Sequence, residues 1–234
     1  MRICSFLSII AITNGPLLMS DQDYKAQTKQ SYDDTATAYN DHMAKLETEQ
    51  KAKAFLSYLQ PGVKILDIGC GPGRDAKYFT DLGFQVTGID ISDKMIELAQ
   101  KTAPDATFCV MDSEEMQFPL ASFDAVWASA SLLHSPKDRF VQILEQMRSF
   151  VKEDGIIYLS MKQGDGEVFE EDARYGGVKK FWSYYQEQEL LSLLQTCGFQ
   201  IVEHHVYDKS TAYQTHPWIS VICKNAPHRI TTRH

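Results

Sequence analysis

From residue 63 onward, short β-branched and aromatic runs alternate with stretches of helical period, and this leaves few folds open. The runs are VKILDI (63–68), FQVTGI (84–89), ATFCV (106–110), FDAVWA (123–128), IIYLSM (156–161), QIVEHHVY (200–207) and WISVIC (218–223). Between most of them the apolar spacing turns helical. Residues 93–101 put Met95, Ile96 and Ala99 on one face, with Ser92 as N-cap and Ile91 and Ile96 placed as a staple. Residues 137–151 repeat Phe140, Leu144, Met147 and Val151 behind Ser135-Pro136, an N-cap and first-turn proline. Residues 187–197 group Leu190, Leu191, Leu194 and Cys197 and stop at Gly198. Such alternation predicts an α/β fold, a parallel sheet covered by helices on both faces. The last two runs have only DKSTAYQTHP between them, so they should pair as an antiparallel hairpin.

With 234 residues the chain suits one domain with a small cap. A net charge of −8 argues against broad, sequence-independent nucleic-acid binding. Five cysteines without a CxxC pattern suggest free thiols in a reducing compartment, so a cytoplasmic protein without a metal site is expected. The start, MRICSFLSIIAI, faintly resembles a signal but is too short to span a bilayer, and Met19 opens a more usual beginning. The expected organisation is an unordered or weakly signal-like extension at 1–19, a helical lid at 20–60, a ligand-binding domain at 61–226 and a tail at 227–234. No membrane partner is expected.

Chemistry concentrates at the strand tips. After the first run comes DIGCGPGRD, with glycines at 69, 71 and 73. Ligands of open α/β sheets bind beyond the carboxyl ends of the strands, and glycines there let backbone approach a ligand closely. Arg74 stands where the dinucleotide pattern G-x-G-x-x-G needs its last glycine, and Asp67 suits an ammonium group better than a phosphate. A simple tight turn is the plain alternative. Asp90, 17 residues after Gly73, ends the second run and can accept both hydroxyls of a ribose. Ser92 is the better-placed helix cap. Asp112 ends the third run and can meet an adenine amino group, with the Ser113 N–H facing a ring nitrogen; a cap for the chain beyond is the alternative. Met95 and Ile91 can pack on the adenine or in the core.

Taken together, DIGCGPG, GID and MDSEEMQFPLASFDAVWA resemble the class I S-adenosylmethionine-dependent methyltransferases over roughly residues 30–225. The resemblance implies a Rossmann-like, seven-stranded, mostly parallel sheet. It assigns the methionine end of the cofactor to Asp67, Gly69, Cys70, Gly71 and Gly73, the ribose to Asp90 and the adenine to Asp112. Ala128 and Ser129 would pass beside the methionine. A helix bearing Tyr32 and Tyr39 would lid the cofactor, as this segment often does in the family, or simply pack.

The chain also resembles small, stand-alone bacterial-type members of that family, whose acceptors vary. An unidentified small-molecule acceptor is therefore expected, methylated by in-line displacement. A looser likeness to wobble-uridine tRNA methyltransferases keeps an RNA acceptor as an alternative, and a non-catalytic cofactor binder is another. On the acceptor side, His134 is a candidate base or a structural histidine, and Lys162 lies where it can meet an anion. Trp182, Tyr184 and Tyr185 can roof a pocket or fill the core, while His216 and Trp218 flank the final hairpin. His204 and His205 must face opposite ways on a strand, which argues against a shared metal.

Overall fold

The structure, a computed structural model, describes residues 21–45, 48–208 and 216–226. The expectations for residues 1–19 and 227–234 lie outside the described residues. In chain order the elements are α1 (Asp21–Met43), α2 (Glu49–Leu56), β1 (Lys64–Ile68), α3 (Arg74–Asp81), β2 (Gln85–Asp90), α4 (Asp93–Thr102), β3 (Thr107–Val110) and β4 (Phe123–Ser129). A short 3₁₀ turn (Leu132–His134) leads into α5 (Lys137–Phe150) and β5 (Val151–Lys162). Then come β6 (Glu167–Asp172), β7 (Val178–Ser183), α6 (Glu187–Thr196), β8 (Phe199–Tyr207) and β9 (Trp218–Asn225).

Seven strands form one sheet in the order β3-β2-β1-β4-β5-β9-β8. β1 to β5 are parallel, β9 runs antiparallel to β5, and β8 and β9 form the expected hairpin. The strand order reverses beside β1, so the tips of β1 and β4 part and leave a crevice.

Both faces of the sheet are covered, and β1 shows why its sequence reads as a continuous apolar run. Ile65 points into one cluster with Phe55, Phe79, Trp127 and Tyr158, where Trp127 stacks on Tyr158 at 4.0 Å between centroids. Leu66 and Ile68 point the other way, among Phe140, Leu144, Met147, Leu190 and Leu194. The predicted helix faces are the buried ones: Met95, Ile96 and Ala99 in α4, and Leu190, Leu191 and Leu194 in α6. Ser92 caps α4 by accepting the Met95 N–H at 3.0 Å.

Two local readings need correction. Pro136, not Ser135, is the N-cap of α5; its ψ of 150° is extended, and the Lys137 N–H is taken by the Glu167 carboxylate at 2.7 Å. Residues 167–183, to which the sequence reading assigned no strand, form the two-stranded hairpin β6–β7 outside the main sheet. Its register sets Glu170 opposite Lys180 and Glu171 opposite Lys179, in a ribbon that no apolar alternation announces.

Candidate functional site: a cleft at the strand tips

The tips of β1, β2, β3 and β4 and the inner side of α1 enclose a cleft of about 1030 Å³, counting its open mouth. Its floor is the glycine loop. Gly69 has φ +68°, and a Cβ there would fall 2.3 Å from the Ser131 Cβ, so only glycine lets the β1 and β4 loops meet. Gly71 gives its N–H to Asp90 Oδ2 at 3.0 Å. Gly73 faces away from the cleft: a Cβ would lie 2.8 Å from the Ala99 Cα, so it serves the packing of α3 on α4.

Three carboxylates mark the cleft. Asp67 is 2% exposed, and its Oδ2 is buried without a hydrogen-bond partner. Burial pushes its pKa well up, with neighbouring Asp75 adding to the rise; nearby Arg74 opposes it, but its guanidinium is held on Asp75 at 2.6 Å. A buried carboxylate oxygen facing a cleft is costly unless a cation or donor arrives, which is the chemistry an amino-acid ammonium supplies. Asp90 accepts the Ser92 N–H at 2.9 Å and the Gly71 N–H, which aim it while leaving each oxygen a second lone pair. Burial nevertheless pushes its pKa up to about 6. Asp112 accepts the Glu114 N–H at 2.9 Å and pairs with Lys25 at 2.7 Å, so it also fixes the turn and α1.

A prediction follows from Asp90. Hydroxyl donors bind the carboxylate better than the acid, so cofactor affinity should rise with pH through about 6 and flatten in Asp90→Asn, by calorimetry from pH 5 to 8. The same raised pKa acts oppositely on the free fold. Its stabilising contribution is present below the unfolded value and is lost as pH climbs through about 6.

Helix α1 closes one side. Tyr24, Lys25, Thr28, Tyr32, Tyr39 and Met43 all line the cleft. Tyr24 donates to Glu114 at 2.6 Å, Lys25 bridges Asp112 and Glu114, and Lys29 bridges Asp33 and Asp93. Tyr24, Lys25 and Thr28 are absent from the sequence reading. The signal was present, because Tyr24, Thr28, Tyr32, Tyr39 and Met43 recur at helical spacing along one face.

Of the residues expected at the cofactor, Asp67, Gly69, Cys70, Gly71, Asp90, Ile91, Met95, Asp112, Ser113, Ser129 and Tyr32 line this cleft, as does His134. Ala128 is fully buried in the core. The acceptor-side set lies elsewhere. Trp182, Tyr184 and Tyr185 are each less than a tenth exposed and pack in the core that includes α5 and α6. Lys162 sits 3.4 Å over the Trp182 ring, where burial brings its pKa down to about 8. His216 stacks on Tyr184. Both nitrogens of His134 are engaged, Nε2 with the Tyr32 hydroxyl at 2.8 Å and Nδ1 with the Phe181 carbonyl at 2.6 Å. Burial pulls its pKa down to about 3, so it holds its neighbours and is not free to collect a proton.

Residues 65–155, which hold the glycine loop and all three carboxylates, match a family described as a methyltransferase domain. The match covers the part of the chain that carries the cleft's floor. Among curated relatives, a 2-methyl-6-phytyl-1,4-hydroquinone methyltransferase of Synechocystis is 40% identical over 45% of this chain and 34% of its own length. A 27-O-demethylrifamycin SV methyltransferase of Amycolatopsis mediterranei is 42% identical over 38% of this chain and 35% of its own. The chain thus spans about a third of the length of these two curated relatives. In solved structures, the fold is shared with the Burkholderia thailandensis 1,6-didemethyltoxoflavin-N1-methyltransferase at TM-score 0.73 and 21% identity, over 92% of this chain and 94% of that one. The cleft fits S-adenosylmethionine, the cofactor that the sequence resemblance implies. Asp67 offers the unmatched carboxylate oxygen an ammonium needs, and Asp90 adds a carboxylate aimed by two backbone N–H groups. Among the described residues, no helix is long and apolar enough to cross a membrane.

Proposed function

We propose that this chain transfers a methyl group from S-adenosylmethionine to a small-molecule acceptor. The observation that carries the reading is the partnerless, buried Asp67 oxygen at the glycine loop. When bound, the cofactor supplies an electrophilic methyl on a sulfonium, which an acceptor lone pair takes in line while the sulfur keeps the bonding electrons. The protein's own work is placement. Asp67 neutralises the ammonium, Asp90 holds the ribose, Asp112 and Ser113 face the adenine, and α1 shuts out water. Alignment of two reactants is worth effective molarities of about 10⁵–10⁸ M, enough to carry most of such a reaction.

Two curated relatives are named for small-molecule acceptors, which supports an acceptor of that size. Free thiols at Cys70, Cys109, Cys197 and Cys223 favour a cytoplasmic setting. The test is transfer of labelled methyl into fractionated small-molecule, RNA and protein pools from the native cell. Label is expected in the small-molecule pool. Label in RNA would replace the acceptor class, and cofactor binding without any transfer would make the chain a silent binder.

A further inference from the structure

One chain of hydrogen bonds has a fixed polarity. The Phe181 carbonyl can only accept, so the His134 Nδ1 across 2.6 Å must carry a proton. Burial keeps the imidazole neutral, which leaves Nε2 as a bare lone pair. The Tyr32 hydroxyl at 2.8 Å therefore donates to Nε2, and its own oxygen is left with lone pairs only. Tyr32 and His134 both line the cleft. The Tyr32 ring cannot easily turn. The Lys180 ammonium, 1% exposed, lies 4.0 Å from its ring centroid, and Tyr39 and His134 meet it edge-on at 5.4 Å. Lys180 is itself tied to Asp172, which holds Arg174 at 2.8 Å.

We infer that Tyr32 is the point at which the cleft recognises the methyl acceptor, and that it selects an acceptor presenting an O–H or N–H, such as a phenol or hydroquinone. A ligand with only ether or carbonyl oxygens there would set lone pair against lone pair. The relay also joins three separate parts: Tyr32 on α1, His134 after β4 and Phe181 on β7. Recognition of the acceptor is thereby coupled to closure of α1 on the β6–β7 hairpin. The inference rests on the methyl-transfer reading for the word acceptor, but the polarity of the relay does not.

The experiment uses the full chain with S-adenosylhomocysteine bound and reads His134 by ¹⁵N NMR. A neutral ring protonated at Nδ1 is expected from pH 5 to 8, with the Nε2 resonance shifting in Tyr32→Phe. A ring protonated at Nε2, or an imidazolium at pH 7, overturns the relay. Hydroquinone should then perturb the Tyr32–His134 signals while 1,4-dimethoxybenzene does not; equal response to both, or to neither, overturns the selection. In turnover, Tyr32→Phe should lose about 10-fold or more in transfer, the range for one unmet hydrogen bond, with S-adenosylmethionine affinity within about 3-fold. His134→Gln, whose amide can both donate to Phe181 and accept from Tyr32, should keep most transfer, and His134→Leu should not. Parallel loss of cofactor affinity and transfer in Tyr32→Phe would move Tyr32 to the donor side. Failure of the wild-type protein to transfer methyl to any pool would sink the enzyme reading and leave the NMR result to judge the relay.

Discussion

Asp67→Asn should weaken S-adenosylmethionine binding by about 10²-fold, the range for removing one partner of a buried charge pair, while making the free protein more stable. The two changes have one cause. In the free protein the Asp67 Oδ2 is buried with no donor or cation to meet it, and Asp75 and Asp90 add like charge nearby. Burial raises its pKa well above the usual carboxylate range. A cofactor ammonium reverses the balance, because it favours the carboxylate. Binding should therefore expel a proton, visible as a calorimetric heat that changes with the ionisation enthalpy of the buffer. The asparagine variant should show no such dependence, a higher Tm without cofactor and a smaller cofactor-induced rise. An unchanged affinity would show that the cleft holds its cofactor in some other way.

Gly73→Ala should unfold the protein at a lower temperature without removing any ligand contact. The added Cβ would meet the Ala99 backbone at 2.8 Å, and φ of +84° is already a conformation that L side chains rarely adopt. Strain of about 1–3 kcal/mol for the backbone and a similar amount for overpacking predict a total of roughly 2–6 kcal/mol. For a chain of this size that corresponds to a Tm fall of roughly 5–15 °C. Gly166→Ala is the matched control, since it has φ of +75° but nothing within 4 Å of a new Cβ. It should show only the backbone part, about 1–3 kcal/mol. Equal losses at both positions would mean that helix packing is not what requires Gly73.

These two residues also show how far the sequence could be read. Asp67 stands out in the chain because a carboxylate inside an apolar strand, directly before glycines, has few structural uses. Gly73 looks the same as Gly69 and Gly71 in the sequence, yet the fold turns it toward Ala99 on α4. Sequence spacing records that backbone freedom is needed, not which side of the loop needs it. The parallel strands were legible because burial on both faces leaves continuous apolar runs. The β6–β7 ribbon was not, since Glu170, Glu171, Lys179 and Lys180 make sense only once their register is known. Trp182, Tyr184 and Tyr185 were recognisable as a cluster, but aromatics look alike whether they roof a pocket or fill a core. Lys180 illustrates the limit best: a lysine 1% exposed beneath a tyrosine cannot be told from a surface lysine without the tertiary contacts.

The β6–β7 ribbon shares no ladder with the seven-stranded sheet, although it supplies the Phe181 carbonyl and Lys180 behind the cleft wall. The wall behind Tyr32 and His134 is therefore backed by a ribbon that stands outside the main ladder. Substitutions in residues 167–183, apart from Trp182 in the core, can shift the backing of Tyr32 and His134 while the seven-stranded ladder stays intact. A scaffold divided in this way can change clientele without first becoming unstable.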